Sequence, residues 1–278
     1  MAGPGRRNAR GGAAHVTRAG TRGTAAFPGR SPAVLGHRGL GCGTVSGHRE
    51  NTLGSFTAAV RLGVTWVEAD VRRTRDDVLV VEHDAVYPDG TALTAVTAAE
   101  ADRRGTLRLR MLLDELPPSV GVDLDLKSPS DDALRPPGRT TAGLLGPIAA
   151  AEVSRRPVLG SSFDPAALWL IRRTAPDVLL AWLTWRDFPV ETAVTACAHM
   201  DVDVLGLHIG SLRRESPGRE VDPDLAERIV ALVHRCRREL LVWCPEGHPA
   251  RVLAEVGTDA LVVDPVPPAL QALAGISG

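Results

Sequence analysis

Lysine is almost absent from this chain: of its 32 Lys and Arg residues, Lys127 alone is a lysine. The pressure towards arginine has spared one position: either a compact, rotatable ammonium is needed there in place of a planar guanidinium, or the lysine is a chance survivor on a solvated edge strand. Cysteine is scarce too, and Cys42, Cys197, Cys236 and Cys244 show no CxxC spacing, which excludes a zinc knot and a disulfide framework and fits a reducing, cytoplasmic compartment. No uninterrupted apolar run approaches the eighteen or so residues of a spanning helix, so stable membrane insertion is not expected. An excess of either charge is also missing. With a formal charge of −1 the chain has no global field to draw nucleic acid or an anionic membrane, and any phosphate contact must be local.

What is present is enough for one domain: 278 residues, 44% hydrophobic. Residues 1–31 are rich in Gly, Ala and Arg, contain no acid, and read as a disordered tail. From residue 32 to 274, β-branched runs alternate with segments of helical period. The expected strands are 33–36, 64–71, 120–127, 157–162, 178–183, 202–208, 239–243 and 260–263, with 78–82 folding back on the second as a hairpin. Helices are expected from Leu53 to Gly63 and over 140–152, 165–174, 191–199, 222–235, 249–256 and 267–274. Eight strands with interleaved helices predict a TIM (β/α)₈ barrel in the α/β class. The glycine-rich stretch Gly36-His37-Arg38-Gly39-Leu40-Gly41 leads into no immediate apolar helix and has no later acidic partner, so it is not a dinucleotide fingerprint.

Barrel enzymes react at the carboxyl ends of their strands. There the sequence places His37 and Arg38, then Glu68 and Asp70, then His83 and Asp84 after the hairpin, then Asp123, Asp125 and Lys127. Alternation along a strand puts Glu68 and Asp70 on one face, and likewise Asp123, Asp125 and Lys127. Carboxylates spaced this way suit a hard divalent cation such as Mg²⁺ or Ca²⁺, which takes oxygen ligands. Glu68 and Asp70 could instead pair with Arg72 or Arg73 at the surface.

The ordered series G-H-R-G, E-N-T-L-G-S-F, V-E-A-D-V, V-V-E-H-D and D-L-K, followed by S-S-F-D at 161–164, L-L-V-W at 240–243 and V-V-D-P at 262–265, resembles the glycerophosphodiester phosphodiesterases. That resemblance implies a metal-dependent barrel hydrolysing a small-molecule glycerophosphodiester to glycerol 3-phosphate and an alcohol. By matching position it implies Glu68, Asp70 and Asp125 as metal ligands, His37 and His83 as general acid and base, and Arg38 and Lys127 as phosphate ligands. Glu50 and Asn51 are implied in support.

The chain departs from the family pattern in places. Asp125 stands where a glutamate is usual and stops roughly 1.5 Å short unless strand or metal moves; Asp123 is the deeper alternative. Cys244 and Glu246 replace a threonine and an asparagine after the seventh strand, and His48 lies on a loop from which it either intrudes on the site or stays solvated. Trp182, Trp185, Trp243 and His208 fall near strand ends, as an aromatic wall for a choline-like group or as packing. The alternatives are a lipid-directed barrel of lysophospholipase D or sphingomyelinase D type, for which only Leu212 and Phe188 offer an apolar rim, and a barrel that binds phosphodiesters without turnover. Replacement of Lys127 by Arg is expected to slow release of glycerol 3-phosphate from glycerophosphodiesters; a Lys127→Arg protein with full activity would show that the ammonium is dispensable.

Overall fold

The computed structural model describes residues 25–29, 31–213, 220–245 and 247–276; most of the expected tail, and Glu246, lie outside these. Eight parallel strands form the core: β1 (Ala33–Gly36), β2 (Trp66–Arg73), β3 (Gly121–Leu126), β4 (Val158–Ser162), β5 (Leu179–Leu183), β6 (Val204–His208), β7 (Glu239–Trp243) and β8 (Ala260–Val263). Each pairs with its successor, and β8 pairs back with β1, closing the barrel as expected.

Helices Leu53–Arg61, Thr141–Glu152, Pro165–Thr174, Val190–His199, Pro223–Arg235, Gly247–Glu255 and Val266–Leu273 wrap the outside. Two of them start where an Asp-Pro pair supplies both a cap and a preset first turn: Asp164 accepts from the Ala166 N–H, and Asp222 from those of Asp224 and Leu225. Between β2 and β3 the chain makes the hairpin strand Leu79–Val81, antiparallel to β2. It then makes two short helices, Ala98–Arg103 and Leu109–Glu115, of which the periodicity gave no sign. Their brevity explains this: at six and seven residues neither completes two full turns of an apolar stripe, and the first is held by a Thr97/Glu100 capping box.

The strands are buried on both faces, so period-2 alternation sorts two apolar layers. Val122, Leu124 and Leu126 of β3 face the helices; Leu35, Trp66, Leu159, Leu241 and Val262 fill the lumen. Along β2 the lumen-facing series runs Trp66, Glu68, Asp70, and along β3 Gly121, Asp123, Asp125, with each pair in direct register. The lumen therefore changes from apolar floor to acidic upper layer within five residues.

The floor has a contribution from outside the expected domain. Ala26 and Phe27, assigned to the tail by composition, are buried beneath the barrel. Their N–H groups donate to the Glu239 carboxylate at 2.6 and 3.0 Å, and Phe27 packs edge-on against Trp66 with centroids 5.2 Å apart. Trp66 in turn lies flat over Gly121, where a Cβ would come within 2.3 Å of the indole. Gly121→Ala is expected to displace Trp66 and destabilise the fold by about 1–3 kcal/mol, read as a lowered urea midpoint.

Candidate active site

The loop after β1 is built to deliver two side chains. The His37 N–H donates to the Val263 carbonyl at 3.3 Å, and Arg38 takes a left-handed conformation (φ 50°) that turns the chain back over the barrel mouth. The Arg38 N–H donates to Glu68 Oε2 at 2.9 Å, and its guanidinium spans Glu50 Oε1 (2.9 Å) and Asp70 Oδ2 (3.2 Å). Glu50 also accepts from the Gly43 N–H, tying the far limb of the loop to the same carboxylate. Asn51, left-handed at φ 54°, donates its N–H to the Arg38 carbonyl (3.0 Å) and its amide to Asp70 Oδ2 (2.8 Å). Asparagine is among the few side chains at ease in that conformation, so Asn51 serves backbone and carboxylate together.

Glu68, Asp70 and Asp125 each present an oxygen within 4.8 Å of the others. Asp125 reaches this cluster despite its shorter side chain, because it lies in direct register with Asp70. Asp123 pairs one step deeper with Glu68 and stays outside it; burial pushes its carboxyl up to about 8. Burial, followed by the charges of Asp70 and Asp125, also drives Glu68 well above the ordinary carboxylate range. Asp70 goes the other way. Its burial is outweighed by Lys127 and Arg38, which hold it down to about 2.

Lys127 donates to Asp125 Oδ2 and lies 3.1 Å from Asp70 Oδ1, so its ammonium bridges two acids of the cluster. Oδ1 of Asp125 and Oδ1 of Asn51 are buried without a hydrogen-bond partner among the described residues. The donor set is oxygen-only, over-supplied with negative charge and carries unspent lone pairs, which fits a hard divalent cation. Neither Arg72 nor Arg73 serves these acids: Arg72 donates to the His83 carbonyl, and Arg73 is buried against Asp131 and Asp132.

A cavity of about 510 Å³ opens at the carboxyl ends of the strands, lined by His37, Arg38, Glu68, His83, Asp125 and Lys127 among others. Asp70, Glu50 and Asn51 stand behind this wall. His83 Nδ1 is 2.8 Å from Asp84 Oδ1, and His37 Nδ1 is 2.8 Å from Asp264 Oδ2. Asp264 is a site residue that the sequence reasoning left without a role. It follows β8 directly, and its position at a strand's carboxyl end was the available signal.

In the same cavity, Phe163 stacks on Trp185 (4.3 Å) and meets Trp243 edge-on (5.7 Å), both indoles lining it. Trp182 is not part of this wall. The alternation that turns Ala181 and Leu183 inward sends it outward, against Phe188. His208 packs edge-on to Trp243 from outside the lining, and His48 lies against Gly54, away from the cavity.

A closed (β/α)₈ barrel with two imidazoles, the two cations Arg38 and Lys127, and a buried acid cluster at its mouth defines the class. The chain belongs to the glycerophosphoryl diester phosphodiesterase family, whose sequence profile matches residues 37–266. It is 27% identical over 237 residues to a probable glycerophosphodiester phosphodiesterase 2 of Mycobacterium tuberculosis, covering 77% of this chain and 81% of that protein. A 59-residue stretch, 19% of the chain, is 51% identical to the glycerophosphocholine phosphodiesterase GDE1 of Candida albicans, of whose length it spans about 5%. Among solved structures, an Oleispira antarctica phosphodiesterase in complex with sn-glycerol-3-phosphate superposes with a TM-score of 0.65 at 20% identity, over 87% of this chain and 97% of that one.

Proposed function

We propose that this chain is a divalent-metal-dependent phosphodiesterase that hydrolyses glycerophosphodiesters to glycerol 3-phosphate and an alcohol. The observation that carries this reading is the convergence on one cavity of His37, His83, Arg38 and Lys127, at the edge of the acid cluster. A phosphodiester bears a negative charge that repels nucleophiles. Arg38 and Lys127 set two fixed positive charges against it in a water-poor site, where such charges act most strongly. Of the two imidazoles, one takes the proton of the attacking hydroxyl as its oxygen bonds to phosphorus. The other protonates the alkoxide as the opposite P–O bond breaks.

The carboxylates beside each ring define which nitrogen works. With Nδ1–H donated to Asp264, His37 presents Nε2, which lies 4.0 Å from the Glu68 carboxylate; Asp84 does the same for His83. Glu68, Asp70 and Asp125 would hold Mg²⁺ or Ca²⁺, and such an ion supplies Lewis-acid stabilisation of charge on the phosphoryl oxygens. The sn-glycerol-3-phosphate held by the similar Oleispira barrel supports the product, and the names of the relatives support the substrate class. Two imidazoles have little use in a barrel that only binds, which favours turnover.

No helix among the described residues is long and apolar enough to cross a membrane. A cytoplasmic location is proposed from the four free cysteines. Leu212 is buried and Phe188 packs under Trp182, so neither makes a lipid-facing rim. Among the described residues, Trp185, 67% exposed at the cavity mouth, favours a lysolipid substrate as a second reading.

Release of glycerol 3-phosphate from glycerophosphocholine is expected to fall about 100- to 10,000-fold in His37→Ala and to stop in EDTA, with lysophosphatidylcholine turned over more slowly. Activity indifferent to both changes would overturn the mechanism, and a preference for the lysolipid would favour the second reading.

A further inference from the structure

The acid cluster is not the one place at this barrel mouth where ligand atoms converge. His37, Cys244 and Asp264 bring a nitrogen, a sulfur and an oxygen within 4.8 Å of one another. They stand at the ends of β1, β7 and β8, three consecutive strands of the closed sheet. We propose that these three side chains form a second metal site, selective for a thiophilic divalent cation of the Zn²⁺ class and separate from the all-oxygen cluster.

The ligand positions are fixed from outside the trio. The Cys244 N–H donates to the Val262 carbonyl at 2.9 Å, and the residue takes a left-handed turn (φ 61°), which holds the thiol against β8. The His37 N–H is tied to Val263, and the Asp264 Oδ1 that faces away from His37 accepts from the Cys42 N–H at 3.0 Å. Sites mounted on strand ends in this way need little reorganisation to receive an ion.

Chemistry separates the two sites. Glu68, Asp70 and Asp125 offer oxygen alone, as hard cations prefer. A set of one imidazole, one thiolate and one carboxylate is that of a zinc site with an open fourth position. The Nδ1 edge of His37 faces Asp264, whereas its Nε2 faces Glu68, so the soft ion engages the edge turned away from the cluster. Burial pushes the Cys244 thiol up to about 12, so capture releases a proton and weakens as pH falls.

One consequence rests on the role proposed above for His37. A cation on Nδ1 replaces the hydrogen bond to Asp264 and makes the ring a poorer base, so Zn²⁺ inhibits an enzyme that Mg²⁺ sustains. The site itself stands without that role.

The test uses the full chain in excess Mg²⁺, titrated with Co²⁺ and then with Zn²⁺. Wild type is expected to bind one Co²⁺ with a thiolate-to-metal charge-transfer band that Zn²⁺ abolishes. Cys244→Ser is expected to lose the band and bind at least about 10-fold more weakly, while Cys236→Ser, on a helix end away from the trio, keeps both. No band in wild type, which needs no variant to fold, or a band that survives in Cys244→Ser, overturns the proposal. A band unaccompanied by Zn²⁺ inhibition would leave the metal site standing and contradict the role of His37 in turnover.

Discussion

The Asp70 carboxylate is the constraint around which this structure is arranged. It is 1% exposed, in a strand buried on both faces, and an unpaired charge there would cost several kcal/mol. Asn51, Arg38 and Lys127 all reach it, at 2.8, 3.2 and 3.1 Å. Arg38 and Asn51 both adopt left-handed backbone, and Glu50 clamps Arg38 from the other side. The two cations do different work: the planar guanidinium spans Glu50 and Asp70, while the ammonium sits as a point charge between Asp70 and Asp125. That division is a physical reason for one lysine to persist in a chain otherwise served by arginine.

Around this balance the lumen is graded. Leu35, Trp66 and Leu159, sealed below by Phe27, make an apolar floor on which the acids stand. A low-dielectric floor strengthens every charge interaction above it and raises the penalty for any charge left unmatched. Lys127 and Arg38 satisfy Asp70, but burial first and neighbouring acids second drive Glu68 and Asp125 up, so these two remain short of positive charge. A hard divalent cation resolves that shortage, which links the fold to the metal dependence proposed for it.

Much of this could be read from the sequence because it is local. The two-residue spacing of Glu68 with Asp70, and of Asp123 with Asp125, survives folding unchanged, and strand pairing turns two local patterns into one cluster. The placement of His37, His83 and Lys127 at strand ends is legible for the same reason. What escaped was non-local or short. Asp264 meets His37 across 227 residues of chain, a contact set by barrel closure and by no nearby pattern. Phe27 lies in a segment whose composition looks like tail, yet one aromatic ring and two N–H groups dock it. Trp182 and Trp185 are three residues apart and differ in fate because one is outward on a strand and the other beyond its end. The reach of Lys127 was not legible either: it lines the cavity and also bridges Asp70 and Asp125, because its register sets it above Asp125.

The account stands on a hard cation binding at Glu68, Asp70 and Asp125, and thermal unfolding tests this without a substrate. In wild type, Mg²⁺ or Ca²⁺ at 100 times its Kd should stabilise the fold by about 2.7 kcal/mol, seen as a rise in Tm that EDTA reverses. Asp70→Asn should show no such rise. A wild-type Tm indifferent to both ions, or an equal rise in Asp70→Asn, would contradict the central claim.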